Sequence, residues 1–139
     1  MGSLFLIMCK NDIKNPKEVN NEADFVVYHM DTLNSDEINK IKFKYTNNEF
    51  DSYTNRYLDV YYIIQDSLFD GNLRDLERYQ YGLLEDASKV DTLDIGVFQE
   101  EGDKYVTFFV YDEVQIPVSK DSINLKYVVT KFGSRTFIK

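Results

Sequence analysis

One histidine, one cysteine and twenty-four carboxylates make up most of the reactive equipment of this 139-residue chain. His29 has no second histidine with which to share a metal, and Cys9 is the only thiol, so a structural zinc set of Cys and His is excluded. As a general base for a Ser or Cys nucleophile His29 keeps one catalytic role, although a satisfied sheet or surface histidine is the favoured reading. A pair of carboxylates could carry glycosidase-type acid and base chemistry, but no spacing singles out a pair. Asp12, Asp31 and Asp36 lack calcium-loop spacing, and residues 66–75 lack the alternating ligands and terminal Glu of an EF-hand. The six glycines, at positions 2, 71, 82, 96, 102 and 133, form neither a GxGxxG fingerprint nor a P-loop. No serine stands between two glycines as a nucleophile elbow requires. The expectation is a protein that is not an enzyme and needs no metal or cofactor.

Charge and aromatic content point the other way, towards binding. The net charge is −8, and Tyr and Phe contribute eleven and ten residues with no Trp. Residues 49–113 hold five basic and sixteen acidic groups, while residues 114–139 hold five basic groups and one acidic group. An acidic middle disfavours direct nucleic-acid binding, because phosphate contacts need clustered Lys and Arg. It favours a basic partner, drawn in by long-range attraction. The lone Cys9 fits a reducing compartment. The apolar run Leu4–Cys9 is too short to span a bilayer and lacks the basic start of a secretory signal. The expected setting is cytoplasmic, away from membranes.

These side chains must be positioned by secondary structure. The length suits a single domain over residues 1–139. Strands are expected over residues 3–9 and 24–30, with a loop between them marked by Asn11, Asn15, Pro16 and Asn20. A short helix or turn near residues 35–37 should lead into a strand at 41–45. Phe50, Tyr53, Tyr57, Val60, Tyr61, Ile64 and Leu68 recur at three and four, which predicts a helix over 49–69. Asp70-Gly71-Asn72 would end it, and a second helix over 73–90 would close a helical hairpin. Strands over 93–99 and 104–112 flank Glu100-Glu101-Gly102-Asp103 as a hairpin. Pro117 marks an edge strand over 114–118. A strand over 123–132 should turn at Gly133-Ser134 into a final strand over 136–138. By element order the fold class is α+β: an antiparallel sheet of about five to seven strands with the helical hairpin on one face.

On that predicted first helix, Asp59, Tyr62 and Asp66 share the side opposite the apolar stripe, with Asp51 two turns earlier and Asp70 at its exit. A tyrosine among carboxylates suits a binding surface: Tyr supplies contact area at low entropic cost and carboxylates pair with Arg or Lys. Glu100, Glu101 and Asp103 form a second acidic tip. The composition therefore suggests a small inhibitor or immunity protein that neutralises a basic effector such as a toxin nuclease. A phage-encoded mimic of nucleic acid, acting on a host defence or nucleic-acid enzyme, shares the same electrostatics. It also fits the AT-rich codon preference implied by 57 Phe, Tyr, Met, Ile, Asn and Lys residues against 14 Ala, Gly, Pro and Arg. A small enzyme using His29 or a carboxylate pair is the third reading.

Overall fold

The ten residues from Arg56 to Gln65 are rich in aromatic and β-branched side chains, the types that fit a pleated surface better than a helix. In the computed structural model, which describes residues 23–139, they form a strand and not a helix. The strand, loop and Cys9 expected within residues 1–22 lie outside the described residues. The described strands are β1 (Ala23–Val27), β2 (Thr32–Leu33), β3 (Ile38–Asn47), β4 (Arg56–Gln65), β5 (Gly82–Leu84), β6 (Thr92–Gly96), β7 (Gly102–Ser119) and β8 (Ser122–Ile138). The helical elements are two 3-10 turns, Leu73–Arg78 and Ala87–Lys89. The α+β class with its helical hairpin is therefore wrong, and the described chain is essentially all β.

Two sheets are built from these strands. One has the order β1-β3-β6 and the other β2-β8-β7-β4-β5. All pairings are antiparallel except β2 with β8, which run parallel through Thr32–Phe137 and Leu33–Ile138. The sheets pack face to face as a sandwich. Leu58, Val60, Tyr62 and Ile64 of β4 and Val106, Phe108 and Val110 of β7 meet Phe25, Phe43, Leu93 and Ile95 of the smaller sheet. The Phe25 ring lies 5.0 Å from that of Phe108 and 5.2 Å from that of Phe132, so β1 sits over β8 and β7.

The helical stripe failed because β4 is apolar on both of its faces. Its even-numbered residues point into the sandwich, while Ile63 joins Phe69, Leu76, Phe109 and Val129 in a second layer on the outside. A strand buried on both sides loses its two-residue alternation, and its apolar residues then also satisfy a three-and-four spacing. The outer layer is closed by a strap, residues 66–81, which carries the first 3-10 turn. Phe69 meets Phe109 edge-on at 6.0 Å, and a Cβ at Gly133 would come within 2.9 Å of Leu68. Gly133 is thus a close-approach site inside a continuous β8, not the turn that was expected.

Two other expectations change. Residues 93–99 and 104–112 do not pair as a hairpin: β6 pairs with β3, and β7 with β4 and β8. The strands expected over 104–112 and 114–118 are one strand, β7. The turn expected near residues 35–37 is present, and the strand it leads into, β3, is longer than 41–45 and spans Ile38–Asn47. Pro117 does lie at an edge, because β4 pairing ends at Arg56–Val114 and β7 continues beyond it with β8 alone.

Tyr62 ties the two sheets together. Its hydroxyl accepts the Gly96 N–H of β6 at 2.8 Å, and its ring covers Gly82, directly opposite on β5. A Cβ at Gly82 would lie 2.1 Å from that ring. Gly82→Ala should therefore cost about 1–3 kcal/mol through overpacking. Urea melts of the variant check this; stability equal to the parent would show that the ring moves freely aside.

Candidate functional site

With β4 as a strand, the expected helix face dissolves. Asp59 and Tyr62 are odd and even residues of one strand, so their side chains emerge on opposite faces of the sheet. Tyr62 is buried in the sandwich, and burial raises its phenol above the ordinary value despite the Gly96 N–H. Asp66 is exposed beyond the end of β4 and pairs with Lys104 at 2.5 Å. That pair brings it beside the exposed Glu100, Glu101 and Asp103 around the start of β7. Asp70 is exposed on the strap, near Lys131. Asp51 belongs to the other end of the sandwich, where it accepts the Asn47 N–H and pairs with Arg56 at 2.6 Å. The expected residues are thus spread over both ends and both faces.

Around Asp51 lies a buried ionic network. Arg56 forks onto Asp112, Nε to Oδ1 at 2.9 Å and Nη2 to Oδ2 at 2.8 Å, and its guanidinium stands 5.7 Å from the centre of the Tyr45 ring. Burial opposes the Arg56 charge, but the bonds to Asp112 and Asp51 outweigh it and hold the guanidinium above its usual value. Burial pushes the Asp112 carboxyl up, and Arg56 and Tyr45 pull it back only in part. A cleft of about 230 Å³ opens beside the network between β3, β4 and the 87–89 turn. Its lining mixes Lys44 and Arg56 with Asp91 and aromatic rings, so it favours neither sign of ligand charge.

The outer face of the five-stranded sheet is more distinctive. The strap covers the end bearing Ile63, Phe109 and Val129, and Tyr61, Tyr111 and Tyr127 pack half-buried against that cluster. Beside that cluster one row across the sheet is Tyr127–Glu113–Tyr57, and the next, Val129–Tyr111–Asp59, begins and ends on buried residues. A third brings Tyr61 beside Leu83, with the Tyr81 ring 6.1 Å away. Tyr111 and Tyr127 stack at 5.4 Å, and the Tyr111 hydroxyl donates to Glu113 Oε1 at 2.6 Å. Tyr57, Tyr81 and Leu83 are exposed to 36%, 41% and 42%, which is unusual for large side chains lying on a sheet.

Three phenols of this face, Tyr57, Tyr61 and Tyr111, are held protonated. Burial, then Asp59, pushes Tyr61 up to about 12, and the same two causes raise Tyr57. Burial and the bond to Glu113 raise Tyr111 further. The Tyr111 hydroxyl donates to Glu113, and Asp59 is the neighbouring charge that adds to burial at Tyr57 and Tyr61. Asp59 is buried, at 9% exposure, and accepts the Asp86 N–H at 3.0 Å, which fixes it at the β4–β5 border. Only Asp59 of this face was among the expected site residues. Tyr57 and Tyr61 were assigned to a buried stripe. Tyr111 and Glu113 could have been found from the two-residue period of Tyr105, Thr107, Phe109, Tyr111 and Glu113.

His29 is exposed in the connection after β1, with a left-handed φ of 61°, and is not a strand residue. Among the described residues no three His, Cys, Asp or Glu side chains converge as a metal site, and no helix is long and apolar enough to cross a membrane. No protein-family model, no curated protein and no solved structure matches the chain.

Proposed function

We propose that the chain is an acidic protein-binding module, a small inhibitor or immunity protein that neutralises a basic effector such as a toxin nuclease. The observation that carries this reading is the half-exposed tyrosine–carboxylate face of β4, β7 and β8, with Tyr57, Tyr81 and Leu83 exposed at its border. Such a face offers rigid amphipathic contact area with negative charge between the rings. The net charge of −8 adds attraction at a distance. Enclosed catalytic groups would support an enzyme reading instead, and His29, exposed on a connection, offers none.

The test is capture of a partner from the native source at low salt, followed by affinity measurement with the purified pair. Tyr57→Ala with Glu113→Lys should weaken that binding about 10–100-fold, as truncating central aromatic contacts does. Raising the salt should weaken it too. A partner that is itself acidic, or one that binds parent and variant equally, would contradict the reading. Competition by DNA for the same partner would shift it to the nucleic-acid mimic.

A further inference from the structure

We propose that the outer edge of β8 is a docking site for an extended acidic segment of another protein, which adds to the five-stranded sheet as a further strand. β8 pairs with β7 along its length but with β2 only at Phe137 and Ile138. The direction of its backbone groups follows from the bonds at both ends. The Phe137 and Lys139 N–H groups turn outward, to the Asp31 and Leu33 carbonyls. The Gln115 N–H, in the row of Leu125, turns away from β8 to the Asn55 carbonyl. One register holds from Gly102–Ile138 to Pro117–Ile123. The odd-numbered residues of β8 therefore aim both N–H and C=O away from β7. Ile123, Leu125, Val129, Lys131 and Gly133 find no backbone partner on that side among the described residues. Such an edge supplies main-chain hydrogen bonds to an added strand.

The side chains select the occupant. From Ser122 to Lys139 the chain has Lys126, Lys131, Arg135 and Lys139 and no acidic residue, although the whole chain carries −8. Lys126 faces Glu49 at 3.5 Å, with both groups well exposed. Lys131 donates to the Gly71 carbonyl, and Arg135 stands 5.6 Å from the centre of the Tyr105 ring. Asp70 and Asp75 lie near Lys131, but neither Lys131 nor Arg135 closes an ion pair among the described residues. A second copy of β8 would bring like charges together, the arrangement by which edge lysines prevent self-pairing. A basic segment meets the same repulsion, so this edge is separate from the tyrosine–carboxylate face and takes a different kind of segment. An acidic one is attracted. Lys131 and Arg135 share the outer face of the sheet with Ile123 and Leu125, which are exposed to 52% and 46%. The strand that fits carries acidic residues opposite the first pair and apolar residues opposite the second.

The experiment titrates the full chain with the peptide Glu-Thr-Glu-Thr-Val-Thr-Val-Thr and with its counterpart bearing Lys for Glu, followed by NMR of the backbone amides. The acidic peptide should bind about tenfold tighter and slow hydrogen exchange at Ile123, Leu125, Lys131 and Gly133. Two forms of it, methylated on one or the other alternate set of backbone nitrogens, keep the charge. The form blocked on the bonding edge should bind about tenfold weaker than the other. Leu125→Pro removes an outward N–H that β7 does not use; it should weaken binding about tenfold with little change in melting temperature. Equal affinity for the acidic and basic peptides would overturn the charge selection, and equal affinity for the two methylated forms would overturn the strand pairing. A dimeric mass in sedimentation, with those amides already slow in the free chain, would give the edge to a second copy and overturn the acidic occupant. Binding of neither peptide would overturn the site.

Discussion

Arg56→Met should lower the unfolding free energy by about 3–5 kcal/mol at pH 7, the usual cost of stranding one member of a buried ion pair. At pH 4 the loss relative to the parent should be clearly smaller. Asp112 has no side-chain exposure, and Arg56 supplies both of the hydrogen bonds that fork onto its oxygens. Burial raises its pKa above the ordinary carboxylate value, and Arg56 is the chief opposing influence. Removing Arg56 therefore raises the folded-state pKa further. The native state then holds the proton more tightly than the unfolded chain. The deficit is relieved below the unfolded pKa and grows as pH rises through the folded one. Urea melts of parent and variant at both pH values measure this. An equal loss at each pH would show that Asp112 is not the stranded group. Arg56→Met with Asp112→Leu should recover most of the loss, because an apolar pair of similar volume replaces a buried ion pair at little cost.

Phe108→Ala should cost about 3–5 kcal/mol. Phe108 is 1% exposed and lies on the inner face of β7, opposite Phe132 of β8 and against Phe25 of the other sheet. Two facing sheets stand about 10 Å apart. Their backbones are fixed by ladder hydrogen bonds, so the space left by the ring cannot collapse. Phe108→Leu should lose about 1–1.5 kcal/mol, since it keeps most of the volume. If both variants melt at the same denaturant concentration as the parent, Phe108 is not between the sheets.

Much of the β content could be read from the residues, and the helices could not. Strands near β1, β3, β6 and the ends of β7 and β8 follow from alternation and from Gly and Asn punctuation. The edge position of Pro117 follows from its missing N–H. The failure centres on β4, where two buried faces erase the period that identifies a strand. The same loss misplaced the site. Asp59 and Tyr62 share a helix side but oppose each other across a sheet. Residues 73–90 went wrong for another reason: Leu76 is the one fully buried apolar residue of the first 3-10 turn, and a single anchor under a strap imitates part of a helical stripe. The tyrosine–carboxylate face depends on register between β4, β7 and β8, and register between distant strands is not encoded in any one segment.

The length of β7 and β8 has a consequence for how the chain folds. Ser119 pairs with Ser122, so only Lys120 and Asp121 separate two strands of 18 and 17 residues. Among the described residues this is the one long ladder that can zip from a tight turn. The neighbouring ladder must bring Gln65 to Tyr105 and Arg56 to Val114, and β3 must reach β6 from Ile41 to Leu93. Those closures lose chain entropy before any contact repays it, which places the folding time on the order of milliseconds to seconds. The hairpin then serves as the template on which β4 docks, and the kinetic bottleneck is the arrival of β4 and not the formation of β7 with β8. Substitutions in the Lys120–Asp121 turn should alter the folding rate and leave the unfolding rate nearly constant.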